Sequence, residues 1–78
     1  MNGPESRETY NTSDLTLASF LRSRSFPINN IRRQNGKTVF VFEDSAQLRS
    51  AVLEYANDGV VAVRTFCSTL RDLKAITR

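Results

Sequence analysis

Apolar and polar positions alternate with two periods along this chain, and the sharpest signal is the unbroken run Val39-Phe40-Val41-Phe42. Four consecutive β-branched and aromatic residues suit a strand covered on both faces, which is the pattern of a central strand. Asn35-Gly36 lies just ahead of it, and both residues tolerate the positive φ angles of a type I′ hairpin turn. The segment from Ile28 to Arg33 is therefore predicted as the first hairpin arm. With a two-residue loop, Arg33 faces Thr38, Ile31 faces Phe40 and Asn29 faces Phe42, while Arg32 lies across from Val39 and Asn30 across from Val41. Ile31, Phe40 and Phe42 are expected to share the core face. Ile28, Val39 and Val41 would then give the second face an apolar surface. The third helix, a second copy of the chain or another protein would cover it.

Helical spacing appears three times. Leu17, Ala18 and Leu21 mark a first helix over residues 14–24, with Ser13 as its N-cap and Asp14 in its first turn. Pro27 disfavours helical geometry at Phe26 and ends it. Leu48, Ala51, Val52 and Tyr55 mark a second helix, capped by Asp44 with Gln47 three residues on, and closed by Gly59 in the left-handed position. Val63, Phe66, Cys67, Leu70 and Leu73 mark a third from about residue 63 to residue 76. Residues 8–12 read as a brief strand and residues 1–7 as a disordered tail ahead of a single domain over 8–78. The expected fold is α+β, in the order β-α-β-β-α-α. Its short antiparallel three-stranded sheet has strand order 2-3-1, and the helices pack on it.

Composition narrows the chemistry. Seventy-eight residues make one small domain, and a chain this short buries only about 60% of its unfolded surface. No apolar run approaches a membrane span, and the first residues lack the zones of a signal peptide, so a cytoplasmic protein is expected. The single cysteine, Cys67, fits a reducing compartment and reads as a small buried hydrophobe within the third helix. There is no histidine, which removes Ser-His and Cys-His catalysis and imidazole metal ligands. Asp14, Glu43 and Asp44 are the carboxylates available to a metal, but helix starts and a strand end account for them. The glycines stand singly, so no phosphate-cradling loop is present. Neither enzyme, metal site nor cofactor is expected.

Charge is segregated. Residues 22–37 hold five bases and no acid, and residues 59–78 hold four bases and one acid, within a formal net charge of +3. Nine of the eleven bases are arginine, the side chain suited to bidentate phosphate or carboxylate pairing. Arg22 and Arg24 at the end of the first helix, with Arg32, Arg33 and Lys37 on the hairpin, form the leading candidate surface for nucleic acid. Arg64, Arg71, Lys74 and Arg78 form a second basic stripe on the third helix.

Thr12-Ser13-Asp14-Leu15-x-Leu17-Ala18-x-Phe20-Leu21, followed by Val39-Phe40-Val41-Phe42-Glu43-Asp44-Ser45, resembles a family of small uncharacterised bacterial and phage proteins. Leu48-Arg49-x-Ala51-Val52 and Leu70-Arg71-Asp72-Leu73-Lys74 fit the same pattern, and the resemblance covers about residues 8–77. Its members often carry glycine where this chain has Ser25. The resemblance implies a prokaryotic or phage origin and an intracellular site, and transfers no catalytic residue. The combined expectation is an accessory protein of a phage or mobile element that contacts nucleic acid. The alternative is a protein-interaction adaptor or regulator, with a homodimer among its forms, and no nucleic-acid contact.

Overall fold

The computed structural model describes residues 8–77. The expected tail and Arg78 lie outside the described residues. The elements are β1 (Thr9–Thr12), α1 (Leu15–Ser23), β2 (Ile28–Gln34), β3 (Lys37–Glu43), α2 (Ala46–Ala56) and α3 (Val63–Ile76). β3 is central in an antiparallel sheet of order β1-β3-β2, as its two-sided apolar run predicts.

The hairpin turn has φ of 53° at Asn35 and 79° at Gly36, the pair of positive angles that a type I′ turn demands. Arg33 pairs with Thr38, Arg32 with Val39, Ile31 with Phe40 and Asn30 with Val41, in the predicted register. The register then shifts between Ile28 and Asn30, so that Ile28, not Asn29, meets Phe42. An extra residue in one strand re-aims the side chains beyond it. Ile28 accordingly packs against the core instead of joining Val39 and Val41 on the second face. Exposed Asn29 is the residue the shift absorbs.

All three helices gather on the face that carries Phe40 and Phe42. The core joins those rings to Leu17, Ala18, Phe20 and Leu21 of α1, Leu48 and Ala51 of α2, and Leu73 of α3. α3 packs chiefly against α1 and does not cover the second sheet face. Of its apolar residues Leu73 joins the core and Phe66 packs against it, Leu70 is half-buried, and Val63 and Cys67 are exposed. The expectation of a buried cysteine fails because the seam is narrower than the apolar pattern.

Three termini differ from expectation by one residue each. Asp14, not Ser13, caps α1, its Oδ1 accepting from the N–H groups of Thr16 (3.0 Å) and Leu17 (3.2 Å). Ser45, not Asp44, caps α2, its hydroxyl accepting from Leu48 N–H at 3.0 Å. Either side chain of each pair could serve, and the backbone decides: the cap is the extended residue immediately before the first helical one. At the end of α2 the left-handed residue is Asp58, with φ of 60°, and Gly59 follows it. Gly59 N–H donates to Glu54 O at 2.6 Å and Asp58 N–H to Tyr55 O at 3.3 Å, a Schellman closure. Glycine is required there by proximity, since a Cβ would stand 2.8 Å from Glu54 O.

α1 closes in the same way. Phe26 N–H reaches Leu21 O at 3.1 Å, Ser25 N–H reaches Arg22 O at 2.9 Å, and Ser25 itself has φ of 74°. A side chain in this conformation costs about 1–2 kcal/mol, against about 0.5–1 kcal/mol of extra chain entropy lost by glycine. Ser25→Gly is therefore expected to stabilise the fold by about 0.5–1 kcal/mol. Thermal melting checks this as a rise of several degrees, and an unchanged or lower midpoint would refute it.

Candidate nucleic-acid interface

Strand alternation puts Lys37, Val39, Val41 and Glu43 of β3 on the face away from the helices. Asn30, Arg32 and Gln34 of β2 and Thr9 and Asn11 of β1 lie across from them. This open face has a polar surface over an apolar floor. Val41 is only 4% exposed, with Asn11 on one side and Asn30 on the other, and Val39 is half-buried. Thr9, Asn11, Asn30, Arg32, Gln34, Lys37 and Glu43 are exposed. The face is also polarised along its length. Lys37 and Arg32 occupy the hairpin-tip end, and Glu43 the opposite end, where Glu8 and Asp44 also lie.

The same alternation divides the predicted arginine cluster. Arg33 points toward the helices, where its Nη1 donates to Thr38 Oγ1 at 3.0 Å and to Thr77 O at 3.2 Å, fastening the hairpin tip to the end of α3. A cation at those terminal carbonyls also complements the helix dipole. Arg24 is similarly engaged. Its Nη2 lies 2.8 Å from Glu54 Oε1 and donates to Val60 O at 2.7 Å, and its guanidinium sits 4.7 Å from the centroid of Phe20. Arg32 and Lys37 make no side-chain hydrogen bond or ion pair with another described residue.

Arg22 is exposed, and borders a groove between the end of α1 and α3 that Thr65, Thr69 and Asp72 also line. It is thus separate from the hairpin pair in the fold's layout. Arg64, Arg71 and Lys74 are exposed on α3, and Arg78 lies outside the described residues. Lys37 and Arg33 border a groove with Ser13, Thr38 and Thr77, which brings the hairpin tip beside the C-terminal end of α3.

The carboxylates considered as metal ligands have other partners. Asp14 caps α1, and Asp44 receives a two-pronged contact from Arg49, with Nε to Oδ1 at 3.0 Å and Nη2 to Oδ2 at 2.6 Å. Those hydrogen bonds from Arg49 hold the Asp44 carboxyl below its ordinary pKa, and Asp44 in turn raises that of Arg49. Glu8 adds a longer contact to Arg49 at 3.9 Å. Among the described residues no group of three or more His, Cys, Asp or Glu side chains is placed to hold a metal ion, and no helix is long and apolar enough to cross a membrane. Sequence reading missed both the Asp44–Arg49 pair and the role of Arg33. The first was visible as a five-residue spacing across a helix start, but the second joins residues remote in sequence and left no local sign.

A family model described as a domain of unknown function (DUF5659) matches residues 7–78, and the chain belongs to that family. No curated protein and no solved structure shows significant similarity to it.

Two outcomes follow from these contacts. Arg24→Ala and Arg33→Ala are each expected to destabilise the fold by about 1 kcal/mol through lost hydrogen bonds to carbonyl groups, whereas Arg32→Ala and Lys37→Ala stay within about 0.5 kcal/mol of the parent. Urea denaturation separates the pairs, and equal losses at all four positions would contradict the division. For Asp44, a lowered folded-state pKa contributes stability above the unfolded carboxylate value that is lost as pH falls through the folded one. Arg49→Ala should therefore lower the melting temperature at pH 7, with the difference shrinking to nothing in acid below the carboxylate range. A difference that persists there would exclude the ion pair as its cause.

Proposed function

We propose that this member of the DUF5659 family is a non-enzymatic accessory protein of bacterial or phage type that contacts nucleic acid. The contact is made by the open side of its hairpin. The observation that carries this reading is the placement of Arg32 and Lys37. Both are exposed, both lack a side-chain partner among the described residues, and both lie at the tip end of a sheet face that none of the described helices covers. Arg24 and Arg33 support the site from behind by holding the helices and the tip in place. Arg22 and the α3 cations Arg64, Arg71 and Lys74 enlarge the positive field without belonging to the contact face. Such a surface needs no cofactor and no bound metal.

A protein-interaction role is favoured by a different observation. Leu53, Val60 and Val63 are 65%, 83% and 69% exposed, and they lie on or beside the α2–α3 connection, remote from the hairpin in sequence. If that role is the true one, the expected surface is this corner and not Val39 and Val41, which offer little area.

Fluorescence anisotropy with labelled oligonucleotides at several salt concentrations tests the leading reading. Affinity should fall linearly on a log–log plot against salt, with a slope of about −0.9 for each duplex phosphate neutralised. Arg32→Glu combined with Lys37→Glu should abolish binding, while Leu53→Lys leaves it unchanged. Absence of binding at low salt would eliminate the reading.

A further inference from the structure

We infer that the nucleic acid is duplex DNA, entered through its major groove by the two-stranded end of the β2–β3 hairpin. This inference rests on the nucleic-acid reading above and adds to it the form that is bound. Three observations converge.

The first is where the aromatic side chains are. All seven, Tyr10, Phe20, Phe26, Phe40, Phe42, Tyr55 and Phe66, belong to the core or pack against it. Proteins that hold single strands do so largely by stacking bases on exposed rings. The open face has none to offer, so a cationic surface of this kind meets a nucleic acid whose bases are already stacked on one another.

The second is width. β1 pairs with β3 only from Glu43 to Phe40, so the pairs Arg32–Val39, Arg33–Thr38 and Gln34–Lys37 form a ribbon of two strands. Two strands about 4.8 Å apart match what a B-form major groove about 12 Å wide admits. The A-form groove of duplex RNA is too deep and narrow for side chains to read.

The third is the chemistry of that ribbon's open side. Arg32 and Gln34 have the planar donor and acceptor groups that recognise guanine and adenine edges, and Val39 offers an apolar contact for a thymine methyl. Arg32 and Gln34 are two residues apart on one strand, about 6.8 Å, or two steps of the roughly 3.4 Å base spacing. Lys37, at the rim across from Gln34, suits a flanking phosphate as a mobile point charge. Asn30 contributes less, because its Oδ1 already accepts from Ile31 N–H at 2.9 Å. The acids at the other end of the sheet leave the tip as the end that approaches the polyanion.

The test compares one sequence, with the full chain, as duplex DNA, single-stranded DNA and duplex RNA at 150 mM salt (about physiological ionic strength). Duplex DNA should bind at least about tenfold more tightly than either other form. Selection from random duplexes should enrich a short motif. Arg32→Lys keeps the charge but not the forked donor, and should erase the preference at one position while changing non-specific affinity less than about threefold. Equal or tighter binding of single strands or duplex RNA would overturn the inference and leave the nucleic-acid reading standing. So would a motif unaltered in Arg32→Lys. Failure to bind any of the three at low salt would overturn both.

Discussion

The packing of three helices onto Phe40 and Phe42 is the constraint from which the rest of this structure follows. A domain of this size has material for one core, and the two rings at the centre of β3 supply its floor. Once α1, α2 and α3 have met there, no element among the described residues is left for the reverse of the sheet. The structure answers with Val41 of β3, sunk between exposed asparagines of β1 and β2, and with Val39, half-buried beside Arg32. The reverse face therefore stays open to water without presenting a greasy surface.

Much of this was legible in the chain. The Asn35-Gly36 turn fixes the register, the register fixes which residues share a face, and Val39 to Phe42 marks the central strand. Legibility ended where choices between neighbours are made by backbone geometry. Ser13 or Asp14 and Asp44 or Ser45 can each cap their helices, and only the place where the helix begins selects one, while at the end of α2 the left-handed φ falls on Asp58 and Gly59 is held by its close approach to Glu54 O. The shift at Asn29 is similar, because alternation carried past it puts Ile28 on the wrong side. Along α3 the apolar arc is wider than the seam with α1, so Val63 and Cys67 match the pattern yet stay outside. At Ser25 the left-handed φ is imposed by the closure of α1, and a serine gives no local sign of it.

The basic hairpin shows how little a count of charges says by itself. Arg32 and Arg33 are consecutive, and the two-residue period of a strand sends one to water and the other to the carboxyl end of α3. Arg24 also satisfies a carbonyl, stacks on a ring and meets an acid. Two of the five basic side chains over residues 22–37, Arg24 and Arg33, are thus internal bracing, and the open face relies on Arg32 and Lys37. A sequence reading that treats such a run as one patch overlooks that division.

The short pairing of β1 with β3 also bears on how the chain reaches this fold. The hairpin closes over two residues, and contacts of that span form in about 1–10 μs. β1 reaches its partner only after α1 and β2 have been bridged, at a larger loop-closure cost. The hairpin tip is in this sense the most locally encoded part of the molecule, and β1 is a late addition that completes the sheet behind it. Evolution could lengthen, shorten or recompose β1 and the residues before it while the part of the chain that assembles first kept its shape.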